Sequence, residues 1–317
     1  ERYGGPEGVL LPQEITEFTN AGIAAGLATV NFSKTPQENF NGFWAACSTY
    51  GSFSYLKYGL LRLYSQLAQD CELKVGKFIF VAGHSGPETA DDSRTHFGVF
   101  APGVTQLFPK GKVLNLYPWE YNEVPVMLGK ALSLDIPLIM LHLTRPAIEI
   151  PDRKKLGIPS HFEAARGAYV MRDYKNPKAK KDGTIIVQGT SAVANLVKAL
   201  PEIDASKWNI KIVVATSPEL FALQSKSYRD KVLSESDKAN STFITTGARI
   251  LMSDWDFNPL AKDYALSSDW DDRWRTGGTV DEVIEEAHLS KPWLLKGIKK
   301  FAESRDARLA KLRAALE

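Results

Sequence analysis

Cysteine is scarce in this chain, with two residues in 317, Cys47 and Cys71. Two thiols without metal-ligand spacing exclude a disulfide framework and a cysteine-built zinc site. Both stand in apolar-rich, helix-patterned stretches, so buried free thiols in a reducing cytoplasm are expected. No apolar run is long enough to cross a bilayer, so no membrane is expected among the partners. Net charge is also low: 39 Lys and Arg against 37 Asp and Glu leave +2. That balance calls for no nucleic acid. The basic stretch from Lys175 to Lys181 reads as a solvated segment. No strand pattern is followed by G-x-G-x-x-G, which argues against a nicotinamide-binding Rossmann protein. Glu1 opens a polar, Gly-rich stretch without a signal-peptide pattern, and there is no initiating Met. Internal repeats and low-complexity segments are missing too.

What is present is a chain with 44% hydrophobic residues, enough to bury cores for two domains. Short apolar, β-branched runs alternate with helix-patterned segments. Lys77–Gly83, Val113–Tyr117, Pro137–Leu143, Thr184–Gly189, Lys211–Thr216 and Ala248–Ser253 read as strands. Their continuous apolar character predicts sheets covered on both faces. Between them, Gln13–Ala28, Tyr55–Ala68, Glu123–Leu132, Ser191–Leu200 and Val280–Glu286 read as helices. The alternation predicts an α/β protein of two domains, each a mainly parallel sheet with helices on both faces. After Arg145 the composition turns to Pro, Lys, Arg and Asp. The expected division is a first domain of residues 1–150, a linker of 151–182 and a second domain of 183–317.

The stretch TEFTNAGIAAGL, from Thr16 to Leu27, combines one carboxylate with a run of small residues. A glycine costs about 1 kcal/mol in a helix interior, so Gly22 and Gly26 predict close backbone packing. Taken alone, Glu17 reads as an acid at a helix start, favoured by the macrodipole. Further on, Ser48-Thr49-Tyr50-Gly51-Ser52-Phe53 opens an apolar helical pattern, where aromatics are commonly core. Beyond the strand ending at Gly83, His84-Ser85-Gly86-Pro87-Glu88-Thr89-Ala90-Asp91-Asp92-Ser93-Arg94-Thr95-His96 is a polar loop holding two of the five histidines. Such a loop lies where open α/β sheets place ligands. His142-Leu143-Thr144-Arg145 ends another strand. There His142 reads as a satisfied core residue, and Arg145, taken alone, as the ion-pair partner of Glu149 or Asp152.

Together these segments resemble the pyrimidine-binding and C-terminal domains of transketolases and related thiamine-diphosphate enzymes. The Glu17 helix is similar to the acidic residue and AxxAxG-type run of that family. The loop from His84 to His96 is similar to H-D-x-x-x-x-x-x-D-G-P-T-H. It departs at Ser85 and at Ser93-Arg94, which stand in place of Asp and of Gly-Pro. From Asp182 to Leu233 the order TIIVQGTSAVANLVKAL, KIVVAT, SYRDKVL is similar to the C-terminal domain.

The resemblance implies that Glu17 partners the aminopyrimidine of thiamine diphosphate, holding or sharing a proton because burial raises its pKa. It implies that Tyr50 and Phe53 wall that ring, with Leu56 replacing a further aromatic and an insertion of about ten residues near Asn31–Phe43. It further implies His84 on substrate phosphate, Asp92 on a donor-sugar hydroxyl, His96 near the reacting carbon and Arg145 on phosphate. A Gly-Asp-Gly with a downstream Asn, which in the family holds the diphosphate through Mg2+ or Ca2+, does not occur in the sequence. A partner chain carrying that domain is therefore expected, in a heterotetramer of two copies of each chain. The implied reaction moves a two-carbon ketol unit between sugar phosphates. A deoxyxylulose-phosphate synthase-like subunit, a 2-oxo-acid dehydrogenase E1 β chain and a non-catalytic partner subunit are the alternatives. Gly189-Thr190-Ser191 reads as a helix cap, and the Trp-rich end (Trp255, Trp270, Trp274, Trp293) carries no assigned chemistry.

Overall fold

The computed structural model describes residues 4–5, 8–9, 11, 15–83, 85–88, 93–145 and 147–314. His84 and Asp92 lie outside the described residues, as do Gln13 and Glu14 of the first expected helix. Gly4–Gly5 (β1) and Gly8–Val9 (β2) form a short antiparallel pair. The first large sheet comprises Ala45–Tyr50 (β3), Phe78–Gly83 (β4), Val113–Leu116 (β5) and Leu138–His142 (β6). Its order is β3-β4-β6-β5 and every pairing is parallel. The second comprises Ala168–Arg172 (β7), Gly183–Gln188 (β8), Ile210–Ala215 (β9), Ser241–Thr245 (β10) and Leu266–Ser267 (β11). Its order is β11-β10-β8-β9-β7, parallel except where β7 meets β9. This is the expected α/β architecture of two mainly parallel sheets.

Side chains alternate across each strand, which explains why the runs are apolar throughout. In the first sheet Phe78, Phe80, Ala82, Leu138 and Met140 pack on the helices Glu17–Thr29 and Tyr58–Asp70. The intervening Leu114, Leu116, Ile139 and Leu141 face the helix Glu123–Leu132. That second face is continuous with Ile185, Val187, Ile212 and Val214 of the second sheet, under the helices Thr190–Ala205 and Lys291–Glu303. One apolar core thus joins the two sheets. The opposite face of the second sheet, with Ile186, Val213 and Phe243, is closed by Phe221, Leu233, Met252 and Trp255.

Several local expectations are corrected. Ala248–Ser253 is not a strand: Arg249–Trp255 is a 3-10 helix burying Leu251, Met252 and Trp255, and the strand is the preceding STFIT segment. Part of the expected linker, Ala168–Arg172, is an edge strand of the second sheet. Its Tyr169 reaches back to the first domain. The Tyr169 hydroxyl donates to Glu123 Oε1 at 2.8 Å, and Arg153 Nη2 bonds the same oxygen at 2.7 Å and Glu120 Oε1 at 2.8 Å. Burying a guanidinium requires such paired carboxylates. The thiols are not both buried either. Cys47 is half-buried in β3, and Cys71 is exposed just past the Tyr58–Asp70 helix.

Candidate active site

Parallel register brings the carboxyl ends of three strands to one edge. Tyr50 stands level with Gly83, and Ala82 with His142. The segments leaving β3, β4 and β6 are those holding Tyr50 and Phe53, the His84 loop, and Arg145. Ser85 N–H donates to Leu143 O at 2.8 Å, so the last two leave side by side. Ligands of open parallel sheets bind at this edge.

The helix Glu17–Thr29 buries Ala21, Ala24 and Ala28, three small residues on one stripe. Of the two helical glycines, Gly22 permits the close approach, because a Cβ there would stand 3.2 Å from Leu60 Cδ1. Gly26 is exposed and no atom would meet its Cβ, so close packing explains only one of the pair. This seating sets Glu17 against the end of β3, where Thr49 Oγ1 donates to Glu17 Oε1 at 3.1 Å. Glu17 is half-buried, so this chain does not supply the burial expected for it. The physical reason is its place in the first turn, above the stripe of small residues.

The segment after Thr49 is not the start of an α-helix. Tyr50 ends β3, and Gly51–Lys57 is a 3-10 helix leading into the Tyr58–Asp70 helix. This turn sets the Tyr50 and Phe53 rings edge to face, with centroids 5.9 Å apart and planes at 85°. His96, which ends the 3-10 turn Arg94–His96, lies flat on Tyr50 at 4.1 Å and 13°. It meets Phe53 edge-on at 5.5 Å. Glu17, Tyr50, Phe53 and His96 therefore gather around the end of β3. Leu56 is exposed. The segment near Asn31–Phe43 folds outside this group, pinned by Asn31 Nδ2 to the carbonyls of Pro36, Asn39 and Lys74. It leaves the Glu17–Thr49 contact intact. Arg145 is exposed, two residues beyond Leu143, at the same sheet edge.

Three supporting residues were missed in the sequence. Lys57 is fully buried and donates to Ser48 O at 3.1 Å, with Nζ 3.4 Å from Cys47 Sγ. It fixes the backbone just before Thr49. A lysine in a helical pattern reads as a solvated residue, so nothing signalled this role. Glu88, 2% exposed, accepts from Thr144 Oγ1 at 2.5 Å and from Ser191 Oγ at 3.1 Å. It ties the loop after β4 to the loop after β6 and to the second domain. Trp274 packs on Phe97 and Phe100, directly after His96, and so gives one residue of the Trp-rich end a place beside the site.

Gly189-Thr190-Ser191 is not the expected cap. The helix Thr190–Ala205 has no side-chain cap, because Ser191 is directed to Glu88 and Thr190 Oγ1 to Pro118 O at 3.5 Å. Nor is His142 a satisfied core residue. It is buried and stacked on Tyr117 at 4.5 Å and 4°, yet neither ring nitrogen has a hydrogen-bond partner among the described residues. Burial pushes its pKa down to about 3.

Residues 167–258 match the family described as a transketolase-like TK C-terminal domain. Among solved structures, a transketolase from Campylobacter jejuni superposes with TM-score 0.67 at 17% identity, covering 90% of this chain and 38% of that one. A transketolase from Leishmania mexicana gives 0.67 at 17% identity, covering 91% and 37%. A split-gene transketolase, an inactive β4 tetramer, gives 0.59 at 16% identity, covering 92% of this chain and 83% of that one. The fold is thus that of transketolases, and the chain spans under two-fifths of the length of the first two. No curated protein sequence matches the chain.

Proposed function

We propose that this chain is the pyrimidine-binding and C-terminal part of a thiamine-diphosphate-dependent transketolase, completed by a partner chain that carries the diphosphate-binding domain. The observation that carries this reading is the Glu17–Thr49 hydrogen bond beside the Tyr50–His96 stack, at the ligand-binding edge of the first sheet. These residues fit the aminopyrimidine end of the cofactor. Glu17 is a half-buried carboxylate held by one hydroxyl, and two aromatic rings make a corner next to it.

When bound, thiamine diphosphate would supply a nucleophilic carbon at its deprotonated thiazolium C2, with Glu17, Tyr50 and Phe53 holding the aminopyrimidine end. Glu17 shares a proton with the aminopyrimidine, and Thr49 orients the carboxyl for that task. Tyr50 and Phe53 hold the ring. His96 donates to, or accepts from, a hydroxyl near the reacting carbon, as an imidazole can through its two ring nitrogens. His84 and Arg145 bind the substrate phosphate, and Asp92 a sugar hydroxyl. Mg2+ or Ca2+ with the diphosphate belongs to the partner, and two copies of each chain satisfy the usual two-fold arrangement. The split-gene transketolase neighbour, an inactive β4 tetramer, supports the need for a second chain.

Titration calorimetry tests the proposal. The chain alone should bind thiamine diphosphate with magnesium weakly and transfer no ketol unit, while addition of the diphosphate-domain chain restores both. Tight binding together with ketol transfer by this polypeptide alone would overturn the split arrangement.

A further inference from the structure

Two buried polar side chains face each other's domain across one small cavity. His142 ends β6 of the first sheet and is 4% exposed; Gln188 ends β8 of the second and is 5% exposed. Among the described residues neither imidazole nitrogen nor Gln188 Oε1 has a hydrogen-bond partner. Both residues line an interdomain cavity of about 20 Å3, with Tyr117, Thr190 and Thr246. Tyr117 covers a flat face of the imidazole, which leaves the nitrogens on its edge to find partners elsewhere. Buried polar groups of this kind are normally satisfied by protein or by ordered water.

The chemistry of the unpaired atoms selects the occupant. Gln188 Oε1 only accepts, whereas a neutral imidazole offers one N–H donor and one acceptor lone pair. The two ring nitrogens point to opposite edges of the imidazole, so one small occupant reaches only the nitrogen that faces the cavity. Water carries two donors and two acceptors, so it can donate to Gln188 Oε1 and bond that nitrogen whichever tautomer is present, whereas an anion is repelled by Gln188 Oε1 and a cation by the nitrogen when it carries the proton. A water site needs roughly 10–15 Å3 of such volume, and a cavity of about 20 Å3 meets that need.

We propose that this cavity binds a single structural water, which bridges His142 of the first domain to Gln188 of the second. The bridge lies beside the direct Thr144–Glu88–Ser191 connection, and the two ties together hold the β6 exit against the second domain.

A crystal structure of the wild-type chain is the first test. One ordered peak within hydrogen-bond reach of His142 and Gln188 is expected. A dry cavity, or an anomalous-scattering ion, overturns the proposal. His142→Phe and Gln188→Met are the second test, since each keeps the bulk and removes the polar atoms. Both variants should melt at lower temperature than wild type, and the double variant should lose less than the sum. A rise in melting temperature for His142→Phe is what a dry cavity would give, and it overturns the proposal, as does strict additivity.

Discussion

The imidazole of His96 lies flat on the ring of Tyr50, centroids 4.1 Å apart and planes 13° from parallel, though 46 positions of sequence separate them. The pair joins a residue proposed to wall the cofactor ring with one proposed to handle the substrate. An aromatic pair of this kind contributes about 0.5–1.5 kcal/mol beyond its burial. Tyr50→Leu is therefore expected to weaken thiamine diphosphate binding and to lower kcat as His96 loses its support. Tyr50→Phe should restore both. Steady-state kinetics of the assembled enzyme decides, and an unchanged kcat in Tyr50→Leu would uncouple the two roles.

Glu17→Gln keeps the shape of the side chain and removes the acid. Exchange of the cofactor C2 proton, followed by NMR in the assembled enzyme, should stop. Thr49→Val removes the hydroxyl that orients the carboxyl. A hydrogen bond to a charged group contributes about 1.5–3 kcal/mol, so a slowing of roughly tenfold or more is expected. Wild-type exchange in Glu17→Gln would remove Glu17 from cofactor activation.

Glu88→Ala withdraws a buried carboxylate from two hydroxyls on different domains. The loss should cost about 1–3 kcal/mol in denaturant unfolding, since Thr144 and Ser191 are left unpaired. Because Thr144 precedes Arg145, the KM for phosphorylated donor should also rise. A variant with normal KM and reduced stability would confine Glu88 to holding the domains together.

Arg145→Ala and His84→Ala are expected to weaken phosphorylated substrates by about 1.5–3 kcal/mol each and to spare unphosphorylated analogues. The comparison is of kcat/KM between the two substrate types. Equal losses would place these residues outside the phosphate site.

His142 predicts an acid-sensitive stability. Its folded pKa is pushed down to about 3, against about 6.5 in an unfolded chain. Between those values the unfolded state binds the extra proton, so this stabilisation is present above about pH 6.5 and is lost as pH falls toward 3. The slope from this one group approaches 1.4 kcal/mol per pH unit inside the window. His142→Phe should flatten the stability–pH curve there. An unaltered curve would show that His142 is not neutral and buried in the native state.

Much of the architecture follows from the sequence alone. Strands β5, β6, β8 and β9 are buried on both faces, and β4 on one face and partly on the other, so their apolar runs announce them whatever surrounds them. The helices Glu123–Leu132 and Val280–Glu286 end where their sequence patterns end. The small-residue stripe of the Glu17 helix is equally local, because only Ala-sized side chains let it sit close on the sheet. Other features depended on tertiary contacts. β3 carries Cys, Ser and Thr because it lies at the sheet's edge, and an edge strand needs no continuous apolar run. β7 sits in a polar stretch for the same reason, and its strand state is decided by pairing with β9. The meeting of His96 with Tyr50, the burial of Lys57, and the Glu88 bridge to Ser191 join residues distant in sequence through sheet register and domain packing. No local pattern encodes such contacts, because each depends on where two separately folded segments come to lie.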